Sequence, residues 1–353
     1  MQESKVLMFM PWCPIEKEYS AGEYQLVPFD LRKHHTGESA EIRKLLKPYR
    51  TIKNEQLTRV GLIQVGDGPI TRHLNDSEVK RAFDFAEYAC FCSLCERTAY
   101  AHSSKVNRDC FTLYAQGFKE VNRIVLRSRR LGGTSLDMRE TNELFISSPI
   151  HCDLSDEITL NDKLLVPLVE NYMENEIWLN AIECFNRANT DSSDMPEYFE
   201  FVLLAGAFDR ILSSGQNLRS EKLAIEFANR FQPFMKFQPL VKFQPLTKLK
   251  IKEWFLKFLQ TRHGPAHGDL SREDLHSSEG WQILVTAKLA FPILLKIILS
   301  NEGQYELSDN DVSNILCLQG EMTGVSMPKE KILDTVIQRR FSNEFNEFFK
   351  DRS

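Results

Sequence analysis

The spacing of apolar residues changes about halfway along the chain. Up to about His151 they fall in short runs. Lys5–Trp12, Tyr24–Phe29 and Arg59–Val65 are rich in Val, Leu, Phe and Met and bounded by Pro and Gly, which predicts strands. Phe111–Phe118, Val121–Arg127 and the short Leu144–Ile146 share that texture. Ser77–Cys95 is the one helix expected there: Ser77 can cap it, and Val79, Ala82, Phe83, Phe85, Ala86 and Ala89 supply its apolar positions. From Leu154 the apolar residues recur every three and four positions, the period of a helix face. Leu164–Arg187 reads as one long amphipathic helix carrying Leu168, Tyr172, Ile177, Trp178, Ala181, Ile182 and Phe185. After a polar break over Asn189–Met195, Pro196–Leu212 and Leu218–Phe231 read as two more. Trp281–Leu299 is apolar on several sides, which suits the centre of a bundle, and Phe341–Phe349 is a short amphipathic helix.

This pattern predicts an α+β protein. An N-terminal mixed α/β domain is expected over residues 1–153, an all-α helical bundle over 154–325, and a C-terminal amphipathic helix over 326–353. One internal repeat stands out: FQPFMK, FQPLVK and FQPLTK run in tandem from Phe231 to Lys248. Prolines every six residues forbid a continuous helix, so the repeat predicts an extended loop between two bundle helices. The lysines on this approach and its far side, among them Lys248, Lys252 and Lys257, could touch an RNA backbone, and its phenylalanines could stack on bases.

The residues with the most chemical content follow that loop. In IKEWFLKFLQTRHGPAHGD, Ile251, Trp254, Phe255, Phe258 and Leu259 form one helical stripe, and Arg262 returns to the same face eleven residues past Ile251. A guanidinium on an apolar stripe needs an acidic partner, an interface or a bound anion. Gly264-Pro265 stops the helix, and His267 lies on the turn beyond. The arrangement Arg262, polar His263, then His267 resembles the Arg-polar-x(3–5)-His motif of HEPN domains, helical nucleotide-binding domains found in many prokaryotic RNases. The succession of helices from Lys163 to Ser300 resembles that family too, with AFDRIL placing Asp209 near the end of a second helix. The local form TRHGPAHGD is most similar to ApeA-like HEPN proteins, which include phage-defence RNases. The N-terminal part has no comparable match.

The resemblance implies a metal-independent endoribonuclease that leaves 2′,3′-cyclic phosphate and 5′-OH ends and needs no cofactor. It implies a homodimer, because HEPN domains pair about a two-fold axis, and it allows a phage-derived trigger or an antitoxin as a partner. The side chains suit that chemistry. Histidine transfers protons near neutral pH, and the arginine fork matches phosphate oxygens. By carry-over, His267 is the general acid/base, Arg262 binds the scissile phosphate, and His263 orients it. Asp209 holds the Arg or His, or is an ordinary surface acid paired with Arg210 or Lys222. The alternative is a catalytically silent HEPN-type module for RNA binding or dimerisation.

Composition changes this picture little. The chain has 353 residues, 42% of them hydrophobic, and a net charge of -5, so no global basic signal marks a nucleic-acid partner. A polar start at Met1 predicts no export signal, and eight cysteines then read as reduced thiols in a cytoplasm. The apolar run Ile283–Leu299 holds Lys288, Pro292 and Lys296, which argues against a membrane span. Cys90, Cys92 and Cys95, with His102 or Cys110 nearby, lack a second paired cluster and are expected to hold no metal. His34-His35 is expected in a polar loop. Arg123, Arg127, Arg129 and Arg130 form a basic strand end, and Gly66-Asp67-Gly68-Pro69 is a turn without the pattern of a phosphate loop.

Overall fold

A computed structural model describes residues 5–33, 37–96, 106–120, 123–127, 133–137, 145–149, 152, 157–192, 194–231, 244–261 and 278–324. It is α+β, with a strand-rich first part and a helical second part. Packing divides the chain into two units, Met1–Glu96 with Ser103–Met195, and Arg97–His102 with Pro196–Ser353.

The first unit is built on an antiparallel sheet. Its strands are β1 (Lys5–Met10), β2 (Tyr19–Ala21), β3 (Tyr24–Asp30), β5 (Arg59–Val65), β6 (Arg72–His73), β7 (Tyr114–Glu120), β8 (Arg123–Arg127) and β9 (Gly133–Asp137). The order is β2-β3-β5-β1-β7-β8-β9, with β6 also paired to β1. Gly22 begins the two-residue turn between β2 and β3 at φ 58°, which a residue without Cβ adopts at no steric cost. A separate parallel pair joins β4 (Tyr49–Arg50) to β10 (Ile146–Ser147).

Alternation assigns the two faces of the sheet. Phe9 and Tyr114 are cross-strand partners, and the Tyr49 ring packs edge-on against both, at 5.0 and 5.5 Å. The opposite face carries Met8, Ile63, Leu26 and Tyr24, and Tyr24 stacks on Phe85 of α2 (Asp76–Leu94) at 5.3 Å. Asn75 caps α2 rather than Ser77: its side chain accepts from the Glu78 N–H, and Glu78 returns a bond to the Asn75 N–H. A further helix, α1 (Glu38–Leu46), buries only Ile42 and Leu46, and the sequence pattern did not reveal it.

The expected long helix from Leu164 to Arg187 is two helices, α3 (Asp162–Tyr172) and α4 (Glu176–Arg187). The break has a physical cause. The Asn175 side chain accepts from the N–H groups of Ile177 and Trp178, and so starts a new helix where the old one would have continued. Both helices pack in the first unit. The Asn186 amide binds the backbone and carboxylate of Glu87 on α2, and the Phe185 ring meets Phe91 edge-on at 5.3 Å. The packing therefore divides at Met195/Pro196, whereas the hydrophobic period changes near 154.

The second unit is helical among the described residues: α5 (Glu197–Ser213), α6 (Ser220–Phe231), α7 (Gln244–Thr261), α8 (Ser278–Asn301) and α9 (Asp309–Thr323). Phe208 is its hub. The ring lies 5.1 to 5.6 Å from Phe227 of α6, Phe255 and Phe258 of α7 and Phe291 of α8, each contact edge-on. Within α8, Gly280–Asn301 is long and apolar enough to cross a membrane, but most of it is buried in the unit as a core helix. It runs through Pro292, which has no N–H to give the Lys288 carbonyl. Lys296 is not an interruption: its ammonium is buried against Asp311 of α9 at 2.7 Å. The expected helix over Phe341–Phe349 lies outside the described residues.

Candidate functional site

The helix leading to the Arg-His motif forms as its stripe predicts. Ile251, Phe255, Phe258 and Leu259 of α7 are fully buried and Trp254 is half-buried. Phe255 stacks on Phe227 at 4.2 Å, and Trp254 stacks on Phe258 at 6.1 Å. The third FQP copy does not belong to a loop. Gln244 and Pro245 open α7, in the first turn, where a missing N–H costs nothing. Phe231, the first residue of the repeat, is the buried last residue of α6. Residues 232–243 between them lie outside the described residues.

Thr261 is the last described residue of α7, and its hydroxyl donates to the Lys257 carbonyl at 2.9 Å. Arg262, His263 and His267 follow directly, and all three lie outside the described residues. What can be built is the ground they stand on. The ring contacts run α7 against the direction of α5: Phe255 meets Phe208, and Phe258 meets both Phe208 and Phe201. The end of α7 therefore points toward the Phe201 end of α5.

Asp209 sits about 12 Å further along α5 than Phe201, at 1.5 Å per residue. It is half-buried, and its Oδ1 is shielded from solvent and accepts no hydrogen bond. Nor does it pair with its neighbour, since Arg210 turns back to the Gly206 carbonyl at 3.0 Å. A shielded carboxylate oxygen without a donor is uncommon, because desolvation is then uncompensated. The acid nearer the end of α7 is Glu200, whose carboxylate lies 2.6 Å from the Lys288 ammonium of α8 in a largely buried pair. Sequence reasoning passed over it, since nothing in the chain joins residues 200 and 288 before the helices pack.

The lysines of α7 do not make one basic stripe. At about 100° per residue, Lys248 and Lys252 share one side, and Lys250 and Lys257 the opposite one. Lys252 pairs with Glu221 of α6 at 3.0 Å, and Lys250 donates to the Thr323 carbonyl at the end of α9, also at 3.0 Å. Lys248 is half-buried and Lys257 exposed.

The cysteines of α2 are core residues. Cys90, Cys92 and Cys95 are buried, the Cys95 thiol donates to the Cys92 carbonyl at 3.2 Å, and burial raises the pKa of the Cys90 thiol. Among the described residues no three His, Cys, Asp or Glu side chains converge as metal ligands. His102, His34, His35, Arg129 and Arg130 lie outside the described residues, while Arg123 and Arg127 sit at the two ends of β8.

No protein-family model, curated protein or solved structure matches this chain.

Proposed function

We propose that this chain is a cytoplasmic, metal-independent endoribonuclease of HEPN type, active as a homodimer and acting in phage defence or as a toxin. The observation that carries the reading is the placement of the motif. Arg262 follows at once on a helix whose apolar stripe is packed into an all-helical unit, beside the long apolar α8. The motif's residue types match metal-free RNA cleavage: His267 as acid/base, Arg262 on the scissile phosphate, His263 orienting it. With α3 and α4 packed in the first unit, the likeness rests on α5, α7 and α8. Asp209 keeps its role as a positioning residue in this proposal, because its shielded oxygen is an open acceptor. Lys248, Lys252 and Lys257 would contribute to RNA binding, with Lys252 leaving Glu221 to do so.

The test is cleavage of total bacterial RNA in EDTA by the wild-type chain, Arg262→Ala and His267→Ala, with fragment ends mapped. General acid–base catalysis contributes about 10²–10⁴-fold, so each variant should lose at least that much activity, and wild-type products should carry 2′,3′-cyclic phosphate. Equal cleavage by all three would reject the assignment.

A second reading, a silent association module, draws on exposed apolar side chains: Phe199 and Val202 on α5, Leu249 on α7 and Trp281 on α8. It expects no cleavage by any of the three proteins and an oligomer that Val202→Asp dissociates.

A further inference from the structure

The mechanism proposed above makes no use of the first unit, which holds a pair of contacting thiols. Cys110 lies in a 3-10 turn, Arg108–Phe111, and its N–H donates to the Asn107 carbonyl at 3.3 Å. Cys152 comes 42 residues later, and its thiol reaches the Asn107 side-chain oxygen at 3.8 Å and hydrogen-bonds to Cys110. Both are buried, at 0% and 3% exposure. The turn is held from several directions. The Arg108 N–H donates to the Asn189 carbonyl at 3.0 Å, its guanidinium meets Glu87 at 3.4 Å, and Asp109 accepts from the Thr190 hydroxyl. One sulfur is therefore fixed by the fold, and the other is brought to it through Asn107.

The two thiols differ in character. The bond from Cys152 lowers the pKa of Cys110, and the same bond together with burial raises that of Cys152, so the proton stays on Cys152. Cys13 and Cys90 lie in the same core, and burial holds both in the thiol form. A thiolate beside a thiol is the arrangement that thiol–disulfide chemistry requires. Metal binding is the other use of clustered cysteines, and the described ligands do not converge for it.

We propose that Cys110 and Cys152 are an oxidisable dithiol that a hydroperoxide closes to an intramolecular disulfide. The Cys110 thiolate attacks the peroxide O–O bond, which breaks to give a sulfenic acid and, after protonation, water. The Cys152 sulfur then attacks the sulfenic sulfur, the S–S bond forms, and a second water leaves. The peroxide gains two electrons and the two thiols lose them. A dithiol reductant reverses the closure. Local opening of the segment around Cys152 would admit the peroxide.

The test uses the intact chain. It is treated with hydrogen peroxide, quenched with catalase and denatured, its free thiols are alkylated, and non-reduced peptides are mapped by mass spectrometry. The expected result is one cross-linked peptide pair, Cys110 to Cys152, with two of the eight thiols lost to alkylation and recovered after dithiothreitol. The Cys152→Ser variant should instead leave Cys110 as a sulfenic acid trapped by dimedone, and the wild-type map stands alone if that variant does not fold. Eight alkylated thiols, a link through Cys13 or Cys90, or over-oxidation of Cys110 without a link would overturn the proposal.

Discussion

Removing the Asp311 carboxylate should unfold the helical unit more readily than any single change to its surface. Asp311 and Lys296 are 1% and 2% exposed, and their charged atoms lie 2.7 Å apart. The second carboxylate oxygen accepts from the Tyr305 hydroxyl at 2.9 Å and from the N–H and hydroxyl of Ser308 at 2.9 and 2.7 Å. Those Ser308 bonds also form the capping box of α9. Asp311→Ala would strand a buried ammonium, which costs about 3–5 kcal/mol, and loss of the box adds about 1 kcal/mol. Replacing both charges at once, Lys296→Met with Asp311→Leu, leaves no ion stranded, and such swaps are often near neutral. The double variant should therefore be more stable than Asp311→Ala alone. Urea unfolding followed by far-UV circular dichroism would test this, with the two units fitted as separate transitions. A double variant destabilised by the sum of its single changes would refute the argument, as would an Asp311→Ala midpoint equal to the wild type.

The same pair sets an acid limit. Burial raises the pKa of Asp311, but the charge and hydrogen bonds of Lys296 and Ser308 outweigh it and hold the group below its ordinary 3.8. A lowered folded pKa contributes stability that is full above the unfolded value and lost as pH falls through the folded one. The helical unit should thus weaken below about pH 4, and the double variant should show less of that dependence in an acid titration. Phe208→Ala removes the ring that four others meet and should cost about 3–5 kcal/mol in the same urea experiment, with Phe208→Leu costing less. Asn75→Ala deletes the cap of α2 and should cost about 1 kcal/mol, seen as a lower thermal midpoint of the first unit. If the proposed RNase is toxic, a bacterial host should tolerate His267→Ala better than the wild type, and equal growth would count against toxicity.

Elements that one side of the chain decides were legible in the sequence. Arg59–Val65 is a strand with the expected bounds, and the α7 stripe buries the expected residues. Elements decided by a single polar residue were not. The Asn175 cap splits a helix that apolar period alone would continue, and Asn75 takes the cap assigned to Ser77. Helix α9 was missed because its buried face includes Asp311, Asn314 and Gln319, polar groups whose partners come from elsewhere in the fold. Lys296 was misread for the same reason, since only packing brings Asp311 to it. At the candidate site, residue types suggested a chemistry, while Glu200 and Lys288 came together only through helix contacts.

Strand β1 is made before every strand it pairs with, yet it occupies the middle of the sheet. Phe9 lies opposite Leu62 on one side and Tyr114 on the other, 53 and 105 residues later. During synthesis both of its edges therefore stay open until β7 has emerged, and closing such long loops is slow. Meanwhile the chain carries an apolar segment, Val6–Met10, with no sheet to join, which is the kind of stretch that chaperones or wrong neighbours capture. The yield of folded protein should then depend on how fast the stretch up to Glu120 is translated.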